Sequence, residues 1–312
     1  MPVLNHINHA LLGTTWQGNY FDLIYVTMKK LFKTEFEPGI YHNLDEKAYR
    51  ADGALSTSDY KLLAKTPNHF KSKADGNLPF TDSPAMRLGR LFHTYALERD
   101  EWDSTVKVCP LKYQDKRLKE SKLWWSEMDS LGVTVVKSEE YDVIRSMHDA
   151  YIGLKDVKAA VAIPHNTEVS VFCHGLIGEN DTKCRIDLMT GTATSKSVTV
   201  VDIKTTRAGG ADPREFARTS RALKYHWQQA NYTRMLAQKG IAVDRWVWAV
   251  VEKEPPFEAA AYTFSASDME YAMAELAETD KRLLACQELD SWPSHTPSGA
   301  VELNLFNSGV KF

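Results

Sequence analysis

No run of about eighteen apolar residues occurs in the 312-residue sequence, so it offers no membrane-spanning helix. The amino terminus also lacks a basic region followed by an apolar core, which excludes a recognisable secretory signal and leads to the expectation of a cytoplasmic protein. Cysteine is scarce. Cys109, Cys173, Cys184 and Cys286 are scattered without a CxxC pair, which excludes a zinc ribbon or a closely spaced cluster motif and fits free thiols in a reducing compartment. Positive charge is not in excess either, with 38 Lys and Arg against 41 Asp and Glu. A net charge of −3 gives no global attraction for nucleic acid, so any such surface must come from local clustering. There is no internal repeat and no low-complexity segment. What is present is 43% hydrophobic residues, enough for a substantial core in one large domain or two small ones.

The first 37 residues read as an extension with an amphipathic stretch over 20–32, and residues 38–295 as the main domain, followed by a tail over 296–312. Residues 53–65 carry a helix-start signature, with Ser56 or Ser58 as N-cap and Pro67 ending the helix. A second helix is predicted over 84–98 from the apolar stripe Ala85, Leu88, Phe92, Tyr95 and Ala96. A charged, Trp-bearing segment covers 112–128, and another helix 138–154. Strands are predicted over 168–174, 183–189, 198–204, 246–251 and 259–264, with a helix over 222–239 ended by Gly240 and a last helix over 266–289. Gly209-Gly210-Ala211-Asp212-Pro213 reads as a mobile loop. Helices first, then a hairpin-rich sheet interrupted by a helix, predict an α/β or α+β domain with a mixed β-sheet.

Two segments carry chemistry: Arg185-Ile186-Asp187-Leu188-Met189 and Val200-Val201-Asp202-Ile203-Lys204-Thr205-Thr206. Strand alternation puts Asp202 and Lys204 on one face and Val201 and Ile203 on the other; likewise Arg185, Asp187 and Met189 oppose Ile186 and Leu188. The Gly and hydroxyl residues of 190–197 suit a turn. A hairpin centred between Thr194 and Ser195 sets Asp187 opposite Asp202, with Cβ atoms roughly 4.5–5.5 Å apart. Two carboxylates that close repel unless a cation compensates, and hard oxygen ligands suit Mg²⁺ or Mn²⁺. Lys204 would then orient a water or neutralise transition-state charge. The plain alternative is a polar pair on a solvated strand face.

His93 lies in Gly89-Arg90-Leu91-Phe92-His93, at the margin of an apolar stripe and on the same side as Gly89, which would allow a close approach. A hydrogen-bonded core histidine is the alternative to a ligand. Gln228 and Tyr232, four residues apart, share one helix face and can reach carboxylates or a DNA backbone, or simply pack at a boundary.

In this order, His, Asp, Asp-x-Lys and Gln-x-x-x-Tyr, the chain resembles the PD-(D/E)xK nucleases of the RecB type. It is closer still to the carboxy-terminal nuclease domains of the exonuclease VIII (RecE) group and its phage and prophage relatives. The resemblance also runs through Gly39-Ile40-Tyr41-His42-Asn43-Leu44, Leu55-Ser56-Thr57-Ser58 and Thr66-Pro67-Asn68-His69-Phe70. It implies a restriction-endonuclease-like α/β core, a mixed sheet flanked by helices. It further implies that Asp187 and Asp202 bind a catalytic metal with His93 and the carbonyl of Ile203, that Lys204 is the catalytic lysine, and that Gln228 and Tyr232 belong to the active-site shell. The chain departs from the family label in having no Pro-Asp dipeptide before the hairpin, and Asp202 where many relatives have Glu.

The activity implied is a Mg²⁺-dependent, ATP-independent exonuclease, with Mn²⁺ substituting, that digests one strand of duplex DNA from its 5′ end and leaves a 3′ single-stranded tail. The partners implied are double-stranded DNA ends, a single-strand annealing protein and further copies of the chain in a ring-like oligomer, in the cytoplasm of a bacterial host cell. Ser56 and Arg207 are the candidates for DNA binding, since a 5′-phosphate needs hydroxyl and cationic donors. Three rivals remain: a single-strand-specific RecB-type nuclease, whose four-cysteine cluster does not match the spacing here, a DNA-end-binding scaffold without hydrolysis, and a metal-free interaction protein whose surface merely mimics the motif.

Overall fold

The computed structural model describes residues 32–79, 82–192, 194–295 and 300. A short strand β1 (Gly39–Tyr41) leads into helices α1 (Glu46–Ala51), α2 (Thr57–Lys65), α3 (Pro67–Ala74), α4 (Pro84–Leu97) and α5 (Arg99–Thr105). An excursion follows, bounded by β2 (Val106–Val108) and β3 (Thr134–Val136) and carrying α6 (Lys119–Ser130). Helices α7 (Ser138–Gly153) and α8 (Lys155–Val161) precede the strands β4 (His165–Ile177), β5 (Asn180–Thr190) and β6 (Ser197–Thr206). Helices α9 (Pro213–Ala222) and α10 (Tyr225–Gln238) then cross to β7 (Ala242–Glu252) and β8 (Ala259–Tyr262), and α11 (Ala266–Leu289) closes the described chain.

The main sheet has six strands in the order β1-β4-β5-β6-β7-β8. All pairs are antiparallel except β6 with β7, the crossover made by α9 and α10. The sheet is therefore mixed and flanked by helices, the predicted α/β class. β7 shows why its sequence is a continuous apolar run. Val247, Ala249 and Val251 face a core under α4 and α7, whereas Trp246, Trp248 and Val250 face a second core with α10. A strand covered on both faces has no polar alternation to display.

Local chemistry fixes the elements that hold the site. Ser83 accepts a hydrogen bond from Met86 N and Pro84 occupies the first turn of α4, whose Leu91, Phe92 and Tyr95 are buried. Asp212 caps α9, accepting from Arg214 N and Glu215 N.

Several expectations are corrected. Pro67 ends α2 as predicted, but it also opens α3, with Thr66 as a cap accepting from His69 N. The helix expected over 222–239 is divided: Ala222 ends α9, and Lys224 (φ 51°) turns the chain into α10. The segment 209–213 is pinned. Ala211 is buried, its N–H donates to Glu252 Oε1 at 3.1 Å, and its carbonyl accepts from the Tyr262 hydroxyl. Of the extension, residues 32–37 pack on the main domain, with Phe32 buried in the core beside α2 and the Phe36 ring 4.8 Å from that of Phe172. The rest of the amphipathic stretch over 20–32 lies outside the described residues, as does the tail apart from Ala300.

Candidate active site

The hairpin register is the predicted one. Leu188 pairs with Val201 and Met189 with Val200, so one further step sets Asp187 across from Asp202. The strands part there, and Asp187 Oδ2 accepts a hydrogen bond from Ile203 N at 2.7 Å in place of a backbone carbonyl. On its other side β5 pairs with β4 through Thr167↔Leu188 and Val169↔Ile186, which sets Glu168 across from Asp187. Glu168 has a φ of 49°, a left-handed conformation costly for a residue with a Cβ and frequent at functional sites. Strand alternation fails at the same place. Ile186 packs in the α10-side core and Leu188 in the α4-side core, so the predicted grouping of these two is corrected. The break falls at Leu188, and Asp187 lies on the α4 side, near His93.

Three side chains converge: one ligand atom from each of His93, Glu168 and Asp187 lies within 4.8 Å of the others. His93 Nδ1 is 3.7 Å from Asp187 Oδ2, and Gly89, one turn earlier, allows α4 to approach β6. A Cβ on Gly89 would stand 3.2 Å from Thr205 Oγ1. Arg185 holds Glu168 from behind, its Nε donating to Glu168 Oε2 at 2.6 Å and its Nη1 to Leu44 O at 3.0 Å. Asp202 stands beside this group rather than in it. One of its oxygens accepts from Lys204 Nζ and the other from Gln228 Nε2. The Lys204 ammonium lies 5.0 Å from the Tyr225 ring centroid and 5.2 Å from that of Trp248, a cation–π seat that fixes its direction.

The titration behaviour follows from this crowding. Burial and the neighbouring Asp202 charge push the Asp187 carboxyl up to about 8, and burial and Asp187 push Glu168 up to about 7. Burial lowers His93 and keeps it neutral, the form that binds metal. Burial also disfavours the Lys204 ammonium, but the Asp202 and Asp187 charges outweigh it and raise its pKa above the ordinary value. Two proton-retaining carboxyls beside a neutral imidazole lack a positive charge at their centre. A divalent cation supplies it, and one nitrogen with several carboxylate oxygens is a donor set that fits Mg²⁺ or Mn²⁺.

His93, Glu168, Asp187 and Lys204 line a cleft of about 670 Å³ together with Tyr49, Arg90, Tyr232 and Lys253, while Asp202 and Gln228 lie behind its wall. The two DNA-binding candidates lie elsewhere. Ser56 caps α2, bonded to Asp59 Oδ2 at 2.6 Å, and does not line the cleft. Arg207 is exposed and paired with Glu215 at 3.0 Å, also outside the cleft wall. Glu168, Arg185, Tyr225 and Lys253 were not singled out from the sequence. Turn arithmetic does not find Glu168: a turn at Gly178-Glu179, with Ile177 paired to Asn180, would set Glu168 across from Met189, and only the register shift between Cys173 and Ile177 brings it opposite Asp187.

A helix-flanked mixed sheet with an acidic group and an Asp-x-Lys strand at its centre defines the PD-(D/E)xK class of fold. The chain belongs to the family described as a PDDEXK-like domain of unknown function (DUF3799), whose profile matches residues 56–304. No curated protein matches it. Among solved structures, it is similar to a "Putative exonuclease" from Eubacterium rectale, with a TM-score of 0.53 and 14% identity over 80% of this chain and 88% of that one. At this identity the likeness is one of fold. Weaker matches are SSO0001, with a TM-score of 0.26 and 14% identity over 62% of this chain and 85% of that one, and protein VC1899 from Vibrio cholerae, with a TM-score of 0.22 and 12% identity over 76% and 57%.

Proposed function

We propose that the protein is a divalent-metal-dependent exodeoxyribonuclease that digests one strand of duplex DNA from its 5′ end without ATP and leaves a 3′ tail for recombination by strand annealing. The observation that carries the nuclease reading is the convergence of His93, Glu168 and Asp187 beside the Asp202–Lys204 pair in an open cleft. His93, Glu168 and Asp187 would hold Mg²⁺ or Mn²⁺, with Asp202 and the Ile203 carbonyl completing the set. A cation there supplies charge neutralisation at the phosphodiester and acidification of water. Lys204 Nζ, held charged by Asp202 and aimed by Tyr225 and Trp248, neutralises charge gathering on a non-bridging phosphate oxygen. Gln228 holds the Asp202 carboxylate in place, and Lys253, on the cleft wall, offers a further phosphate contact. The 5′ polarity, the annealing partner and a ring-like oligomer rest on the resemblance of the motifs.

The test is digestion of linear duplex DNA labelled separately at each 5′ and each 3′ end, with and without Mg²⁺ and without ATP, for wild type and Lys204→Ala. Metal-dependent loss of 5′ label in wild type alone is expected. Loss of 3′ label first would reverse the polarity, and DNA binding without cleavage in any metal would establish the scaffold.

A further inference from the structure

The excursion between β2 and β3 is the part of the chain that catalysis leaves unused, and its composition is unlike the rest. Over residues 111–123 it carries Lys112, Lys116, Arg117, Lys119 and Lys122 against Asp115 and Glu120, in a chain whose net charge is −3. Asp115 is taken by Arg117 at 2.8 Å. The four lysines are exposed and have no carboxylate partner among the described residues.

Interleaved with these cations is an aromatic group that does not belong to any of the three cores. The rings of Tyr113 and Trp124 are stacked, with centroids 5.3 Å apart and planes 16° apart, and Trp125 stands edge-on to Trp124 at 5.6 Å. Trp125 is fixed by donating Nε1–H to the Tyr113 carbonyl at 3.0 Å. Lys112 lies 4.6 Å from the Tyr113 ring centroid and Lys116 3.5 Å from that of Trp125. Leu111, Leu118, Leu123 and Leu131 are 77%, 53%, 63% and 64% exposed, so the unit does not bury its own apolar residues. Large apolar residues left exposed in one short unit are what an interaction surface carries. The unit is moored beside the cleft: Arg87 of α4 donates to Val135 O at 3.1 Å, while Ala85, Met86 and Arg90 of the same helix line the cleft.

We propose that this unit is a platform for single-stranded nucleic acid, holding a strand beside the active-site cleft through phosphate contacts from Lys112, Lys116, Lys119 and Lys122 and base contacts with the Tyr113–Trp124–Trp125 group. Unpaired cations interleaved with half-exposed rings are what a sequence-tolerant single-strand site requires, because every base offers a π-face and every nucleotide a phosphate. Charge complementarity favours this occupant over a protein partner. The proposal deepens the nuclease reading, on which its substrate class rests, but its test does not depend on cleavage.

The experiment is fluorescence anisotropy of labelled oligo(dT) with the full chain in EDTA, over a series of salt concentrations, for wild type and for a variant with all four lysines replaced by serine. These side chains are exposed, so the variant keeps the fold, checked by its melting temperature. Each phosphate contact to a single strand contributes about −0.7 to the slope of log K against log salt, so the variant's slope should be flatter by about 2.8 and its affinity about a hundredfold lower. Trp124→Phe should weaken binding while leaving the salt slope unchanged. An unchanged slope in the lysine variant, or no oligo(dT) binding by wild type, overturns the proposal and leaves the surface to a protein partner. Duplex digestion by wild type is assayed separately, so strand binding without cleavage in any metal sinks the nuclease reading alone.

Discussion

Asp202 has both carboxylate oxygens engaged by its own chain, one by Lys204 and one by Gln228, whereas Asp187 and Glu168 remain turned toward His93. Similar acids thus have different tasks. Asp202 holds the lysine charged and in place and would join a cation only by giving up one of these bonds, whereas the other two are already placed to exchange protons for it. Lys204→Ala should therefore lower turnover by about 10²–10³-fold or more, the range found when one preorganised transition-state donor is lost. DNA affinity measured in a metal that does not support cleavage should barely change, and wild-type turnover by this variant would remove the lysine from the mechanism. Glu168→Gln keeps shape but removes a charge. It should weaken Mn²⁺ binding in calorimetry with little loss of melting temperature, and unchanged affinity would take Glu168 out of the ligand set.

At the scale of elements, the site depends on how closely α4 lies on β6. Gly89 faces Thr205, and a larger residue must push the helix away and carry His93 with it. Gly89→Val is expected to weaken metal binding although it alters no ligand, and Thr205→Ala in the same chain should restore part of the loss. If the double variant is no better than the single one, helix displacement is not the cause. Much of this arrangement was legible in the sequence. The hairpin register, the strand alternation around Asp202 and the Gln228–Tyr232 face follow from periods that local sequence displays. What was missed depends on events that periodicity does not encode. Glu168 is left-handed and faces β5 beside the place where its alternation breaks, Lys224 divides α9 from α10, and Ala211 is pinned by Glu252 and Tyr262 from distant strands. Ser56 illustrates the opposite error, since a hydroxyl suited to a phosphate is equally suited to a helix cap, and here it caps α2.

For the whole molecule, the raised carboxyl pKa values couple folding to pH and metal. Asp187 and Glu168 keep their protons to about 8 and about 7 when folded, against ordinary values of 3.8 and 4.5. Between these limits the folded chain binds more protons than the unfolded one, so the metal-free protein loses stability as pH rises from about 4 to 8. A bound cation replaces those protons. Mn²⁺ should raise the melting temperature more at pH 8 than at pH 6, and an equal or reversed increment would contradict the assigned ligands. The sheet itself gives a further consequence. β6 is zipped to β7 from Ser197 to Thr206 but, among the described residues, its backbone pairs with β5 only at Leu188↔Val201 and Met189↔Val200, so Asp187 and Glu168 lie on one side of a narrow seam and Asp202 and Lys204 on the other. The amide of Ile203, held by the Asp187 carboxylate, bridges that seam. Its exchange with solvent deuterium thus reports how firmly the two halves are joined, slowing when a cation spans them.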